Sequence, residues 1–120
     1  MNVSNSCEDW IVGKGIQVIE VKVEINLSSE RSLRNDDPIN IFDLIAESFH
    51  DDQSITDKDL FADYGRMLIE MQMHVQGESV EKGITIGLAA VNAAIESAKQ
   101  LAPWVKAEVG SVSAGQLATA

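Results

Sequence analysis

The clearest hydrophobic pattern in the chain is a strict alternation over residues 19–27. Apolar side chains at every second position (Ile19, Val21, Val23, Ile25 and Leu27) are separated by Glu, Lys, Glu and Asn. A period of two is typical of a β-strand with one buried face. The Gly13-Lys14-Gly15 turn that precedes it predicts that Trp10–Val12 folds back on this strand as a hairpin.

Helical spacing replaces the alternation after residue 37. Asp37-Pro38 is typical of an N-cap and a first helical position, and the apolar residues that follow lie three and four apart, which predicts a helix over residues 38–50. Thr56 and Asp59 resemble a capping box. The apolar stripe that follows predicts a second helix, which ends near Gly77.

A third helix is predicted between Ser79, as its N-cap, and Pro103, which stops it. An alternative is that Gly83 and Gly87 flank a short strand at Ile84–Ile86. Residues 104–109 alternate weakly and are a possible further strand. Residues 110–120 are small and uncharged and have no strong preference.

These elements predict an α+β fold. An N-terminal β-ribbon, with a possible third strand near residues 104–109, would pack on three α-helices. The 120 residues suit one small domain, with residues 1–8 and 110–120 as loose termini.

Charge is concentrated in one stretch of this pattern. Between Asp36 and Asp63 the chain has nine acidic residues and one lysine, which account for eight of its ten net negative charges. Such a surface repels phosphate backbones and anionic membranes, and it favours a basic protein partner. Asp37, Asp57 and Asp59 are explained in part as acids at helix N-termini. The candidate partner contacts are Asp43, Glu47, Asp51, Asp52, Asp59 and Asp63.

Small residues follow one side of the third predicted helix, at Gly83, Gly87, Ala90 and Ala94. Glycine inside a helix costs about 1 kcal/mol relative to alanine, which suggests a compensating close contact. That contact is either packing against the second helix or a subunit interface. A homo-oligomer would also provide a partner for the long N-terminal strand, because a two-stranded ribbon alone is marginal in water.

Residues suited to catalysis or metal binding are sparse. The only histidines are His50 and His74, no metal-ligand spacing is present, and Cys7 is the single cysteine, beside two acids that disfavour its thiolate. His74 is better explained as a packed or helix C-terminal residue than as a base. We therefore predict no catalytic residue, metal or cofactor, and the motif content favours a non-enzymatic protein.

The chain has no signal-peptide pattern and no apolar run of membrane-spanning length, so we expect a cytoplasmic protein. The favoured function is a small acidic protein-binding module, of the adaptor, chaperone, inhibitor or immunity type, that presents a negative helix-turn-helix surface to a basic partner. One alternative is a self-associating structural subunit of a phage or secretion assembly. Another is a small-ligand carrier or an enzyme whose pocket is not visible in the sequence.

Overall fold

Six elements form the protein in a computed structural model that describes residues 16–30, 32 and 37–117. In chain order they are β1 (Gln17–Ser29), α1 (Asp37–Asp51), β2 (Thr56–Asp63), β3 (Leu68–Gly77), α2 (Val80–Leu101) and β4 (Val105–Gln116). The predicted α+β class is confirmed. The prediction of three helices on an N-terminal ribbon is wrong, since the described chain has two helices and a four-stranded sheet.

The sheet has the strand order β2-β3-β1-β4, and all neighbours are antiparallel. β1 is therefore a central strand that pairs with β3 on one side and β4 on the other, and β2 and β4 are the edge strands. The order β-α-β-β-α-β is the connectivity of the split βαβ arrangement, which serves many unrelated functions and indicates none by itself.

Both helices cover one face of the sheet. The alternation seen in the sequence of β1 is the reason: Ile19, Val21 and Val23 are fully buried, and the polar residues between them lie on the other face. The helices complete the core with buried side chains of α1 (Phe42, Ile45 and Phe49) and of α2 (Val91, Ala94 and Ala98). We call the polar face that the helices leave uncovered the open face.

The largest error in the sequence prediction is the second helix, because residues 56–77 form the β2–β3 hairpin. Ile69, Met71, Met73 and Val75 alternate with polar residues and are buried, so β3 follows a period of two. Met, Glu and Gln favour helices in isolation, but pairing with β1 and burial of the alternate side chains outweigh that preference. The turn contains Gly65, and its residue Met67 has a positive φ of 52°.

The two other predicted helices are confirmed as α1 and α2. Ser79 caps α2, and its side chain accepts a hydrogen bond from the Lys82 N–H at 3.2 Å. Ile84–Ile86 lies within α2, so the strand alternative is wrong. The possible strand near residues 104–109 is present as β4. It extends to Gln116 and so includes much of the segment expected to be a loose terminus.

The predicted Trp10–Val12 strand, its Gly13-Lys14-Gly15 turn and the loose residues 1–8 lie outside the described residues. In the part of the chain that the structure describes, neither helix is long and apolar enough to cross a membrane.

Candidate functional site

Three carboxylates define the outer face of α1. Asp43, Glu47 and Asp51 follow one another at spacings of four, so they lie on one side of the helix, and all three are exposed. Among the described residues, none of the three side chains forms an ion pair or a side-chain hydrogen bond. We call them the α1 acidic row. Their negative charge is not neutralised by described parts of the protein.

A shallow groove between α1 and α2 borders this row. Its volume is about 320 Å³, and it is lined by Leu44, Glu47, Ser48, Asp51, Ser97 and Leu101. Leu101 is 72% exposed, the highest value among the large apolar side chains of the described chain. The hydroxyls of Ser48 and Ser97 lie 3.3 Å apart and join the two helices across it. The groove thus places exposed apolar surface beside unpaired carboxylates.

Asp52 has a structural role at the end of α1. Its Oδ1 accepts hydrogen bonds from the backbone N–H of Ser54, at 2.8 Å, and from the Ser54 hydroxyl. The hydroxyl bond is the main reason that the pKa of Asp52 lies below its ordinary value; the backbone bond and the Lys58 charge lower it further, and partial burial opposes them. The carboxylate of Asp52 is thus already bound within its own turn.

Asp59 and Asp63 lie on the open face, away from the α1 acidic row. Both belong to β2, and they flank Phe61 on the face opposite to the buried side of the strand. Asp63 also accepts the Arg66 N–H in the hairpin turn at 3.1 Å. The six acidic candidates therefore do not form one surface, because the sheet separates Asp59 and Asp63 from the helices.

Lys58, the one base of the acidic stretch, ends α1. Its ammonium group donates to the backbone carbonyls of His50 and Asp52, the latter at 2.7 Å. Carbonyls in the last turn of a helix have no partner within the helix, and a cation there also opposes the negative end of the helix dipole. Because the ammonium group of Lys58 donates to these two carbonyls, it does not pair with the carboxylates of the α1 acidic row.

The small residues of α2 face the sheet of the same chain. A Cβ atom on Gly83 would lie 2.8 Å from Cδ1 of Ile19, and one on Gly87 would lie 2.9 Å from Cγ1 of Val21. Gly83, Gly87, Ala90 and Ala94 are all buried. The glycines of α2 therefore make their close contact with β1. The sequence pattern had suggested that they contact the second predicted helix or another subunit.

One charged cluster was missed in the sequence. His74 of β3 lies on the open face, with Nδ1 2.8 Å from Oδ2 of Asp57 and Nε2 3.7 Å from Oε2 of Glu20. Asp57 lies in a β-bulge and has a positive φ of 47°, a left-handed backbone conformation that residues other than glycine adopt less often. The alternation of β3 is the signal that places His74 beside β1, and the helical interpretation of residues 56–77 concealed it.

The cluster joins three strands but lacks the features of a metal site. Within the residues described, no group of three or more His, Cys, Asp and Glu side chains is arranged to hold a metal ion. A protonated His74 would be attracted to both carboxylates and would tie β2 to β1 through β3. His50, the other histidine, is exposed at the end of α1, 5.9 Å from the ring of Phe49.

Comparison of the chain with protein-family models, with curated proteins and with solved structures gives no match.

Proposed function

We propose that the protein is a non-enzymatic binding module that holds a basic segment of a partner protein in the groove between α1 and α2. The observation that supports this is the position of exposed Leu101 beside the unpaired carboxylates of Glu47 and Asp51. This groove replaces the helix-turn-helix surface expected from the sequence, since residues 56–63 are a strand.

The apolar part of the groove would supply affinity. Fully burying an exposed leucine side chain is worth about 1.5–3 kcal/mol, and Leu101 has most of that area available. Leu44, which is partly buried, lines the groove and also borders the adjoining surface at Asp43, so it extends the apolar surface in that direction. A partner segment that matches this groove carries one or two large apolar side chains.

The α1 acidic row would supply steering and orientation. Like charges four residues apart on a helix cost a few tenths of a kcal/mol, and nothing in the described chain offsets that cost. Lysine or arginine flanking the apolar anchor of the partner would pair with these carboxylates. Electrostatic attraction of this kind chiefly raises the association rate and selects the partner.

The test uses a synthetic peptide helix with leucine on one face and lysine on both flanks, titrated by calorimetry. Reversing the row in one variant, Asp43→Lys/Glu47→Lys/Asp51→Lys, should weaken binding by about tenfold or more and flatten its dependence on salt. Leu101→Ser should weaken binding without changing the charge of the protein.

A charge-matched control separates this surface from the general negative charge. Glu78→Lys/Glu81→Lys/Glu108→Lys changes the net charge by the same amount at exposed positions that do not line the groove. We expect this control to retain most of the affinity. Equal losses in the two triple variants, with no effect of Leu101→Ser, would mean that the peptide senses only net charge and would refute the groove.

Asp52, Asp59 and Asp63 have no place in this groove, and their role in partner binding stays a prediction. The cytoplasmic location also stays a prediction. The ligand-carrier or enzyme alternative also stays a prediction; the layer between helices and sheet is filled by the side chains of the core.

A further inference from the structure

The two edges of the sheet differ in how well they resist strand addition. β2 is short, has a bulge at Asp57 and carries Asp57, Lys58, Asp59 and Asp63 along its eight residues. Bulges and charges are the devices by which proteins protect an exposed edge from pairing with another chain. β4 has twelve residues and none of them is charged after Glu108. Among the described residues, the sheet is therefore protected at the β2 edge, and no strand pairs with its β4 edge.

Backbone groups of β4 point away from the sheet at regular positions. The N–H of Leu117 donates to the carbonyl of Val18 at 2.9 Å, which makes these two residues a hydrogen-bonded pair of the β1–β4 ladder. Because backbone groups alternate in direction along a strand, those of Val112, Ala114 and Gln116 point outward. In the described chain no other strand lies on this side.

Apolar side chains accompany this edge. Val109 and Val112 pair with Ile25 and Val23 of β1, so they lie on the face that the helices cover, yet they are 43% and 36% exposed. Helix α2 thus covers the margin of the sheet at β4 only in part. An added strand would bury both valines and would satisfy the outward backbone groups together.

We propose that this edge of β4 pairs antiparallel with the same edge of a second copy of the chain, which gives a continuous eight-stranded sheet across a twofold axis. A twofold axis brings identical segments together in opposite directions, so the outward donors and acceptors of one copy meet those of the other. Val112 of each copy would then help to cover the exposed margin of its neighbour.

The distribution of charge over the protein favours a second copy at this edge. Two chains of net charge −10 repel each other, so a favourable dimer keeps their acids apart. The α1 acidic row and the acids of β2 lie toward the β2 edge of the sheet, because α1 packs against β2, which is at the opposite edge from β4. Pairing through residues 111–116, which have no charge, places those acids at the two ends of the dimer.

The first measurement is the mass of the intact chain by light scattering over about a hundredfold range of concentration. We expect a concentration-dependent species of twice the monomer mass of 13.0 kDa. In that dimer, the amide hydrogens of Val112, Ala114 and Gln116 should exchange slowly with solvent. This experiment needs no variant, so a folding defect does not affect it.

Two variants with matched controls locate the interface. Ala114→Pro removes an outward N–H without removing a donor to β1, and it should raise the dissociation constant by about tenfold or more, while Ala114→Ser should not. Val112→Lys should have a similar effect because it places like charges near the axis. Phe61→Lys makes the same change of charge on exposed β2 and should leave the dimer intact.

Three outcomes would overturn the proposal. The first is a monomer at every concentration with fast exchange at the three amides. The second is a monomer in which those amides exchange slowly, because another segment of the same chain then covers the edge. The third is a dimer that neither Ala114→Pro nor Val112→Lys weakens, which would place the contact elsewhere.

Discussion

The acidic residues that dominate the sequence perform several distinct tasks once each is placed in the structure. Asp52 and Asp63 accept backbone N–H groups in turns, and Asp57 holds His74 from a strained position in a bulge. Each of these carboxylates has a partner within its own fold. Asp43 and Glu47, in contrast, have exposed side chains without a partner in the described chain.

The Asp52 turn gives a pH-dependent prediction. The folded pKa of Asp52 lies below its ordinary value of 3.8, so the carboxylate stabilises the fold above that pH, and the contribution is lost as the pH falls through the folded pKa. Ser54→Ala removes the main cause. It should raise the pKa of Asp52 and lower the free energy of unfolding at neutral pH; the difference should shrink below pH 3.8 and vanish below the folded pKa of Asp52.

Carbon NMR titration of the Asp52 carboxyl, with urea unfolding at neutral and acid pH, measures both effects. Gln53→Ala, an exposed neighbour, is the control and should change neither quantity. A pKa of Asp52 that does not rise in Ser54→Ala would show that the hydroxyl bond is unimportant.

The elements are held together by a few close contacts that fix their positions. Helix α2 lies against β1 at the distance that its glycines permit, and Lys58 in β2 ends α1 by binding its last carbonyls. Tyr64 in the hairpin turn packs on Phe42 of α1, with ring centroids 5.0 Å apart. The hairpin is thus attached to α1 at both ends, which positions the α1 acidic row relative to the sheet.

The α2–β1 contact predicts an unusual response to alanine. In an exposed helix, Gly→Ala stabilises by about 1 kcal/mol. At Gly83 the new Cβ would lie within 3.0 Å of three atoms of Ile19, including its Cβ, which cannot move without the backbone. Overpacking costs about 1–3 kcal/mol, so Gly83→Ala should give a net loss of about 1 kcal/mol in urea unfolding.

Two further variants calibrate this result. Gly87→Ala should lose less stability, because its Cβ would have a single neighbour closer than 3.0 Å. Ala93→Gly, at an exposed position of α2, measures the helix preference alone. A gain in stability for Gly83→Ala would mean that α2 can move away from β1, and the close approach would not be required.

At the scale of the whole molecule, charge and edge protection are both asymmetric. The acids and the protected strand β2 lie at one side, whereas the uncharged edge of β4 lies at the other. This separation allows the two proposed interactions to coexist, since a partner in the α1–α2 groove and a second copy at β4 would occupy different surfaces.

Unpaired charge should also reduce the stability of the free protein. Asp43→Asn/Glu47→Gln/Asp51→Asn removes two like-charge neighbour pairs on α1, and we expect the free energy of unfolding to rise by roughly 0.5–1 kcal/mol at low salt. The gain should shrink in about 1 M salt, where screening acts over about 3 Å. Urea unfolding at both salt concentrations measures this, and a loss of stability would show that the row has favourable partners within the chain.

The pattern of apolar and polar residues was sufficient to predict the elements with a long, regular periodicity. The alternation of β1 and the capped apolar stripes of α1 and α2 specify local structure and a buried side, and the structure confirms these elements. Residues 56–77 were predicted to be helical, because Met, Glu and Gln favour helices, although the residues of β3 also alternate. Pairing of β3 with β1 and β2 stabilises a hairpin there instead.

The distribution of the acidic residues over different surfaces depends on tertiary contacts and does not follow from the sequence pattern. Asp51 and Asp59 are close in the sequence, but the sheet lies between them. Asp51 is at the end of α1, which covers one face of the sheet, whereas Asp59 points from β2 to the other face, since a strand directs successive side chains to opposite sides. The sequence likewise could not show that β1 pairs with a strand on both sides and that no described strand pairs with the outer edge of β4. These facts depend on the order of strands, which long-range contacts between apolar faces determine.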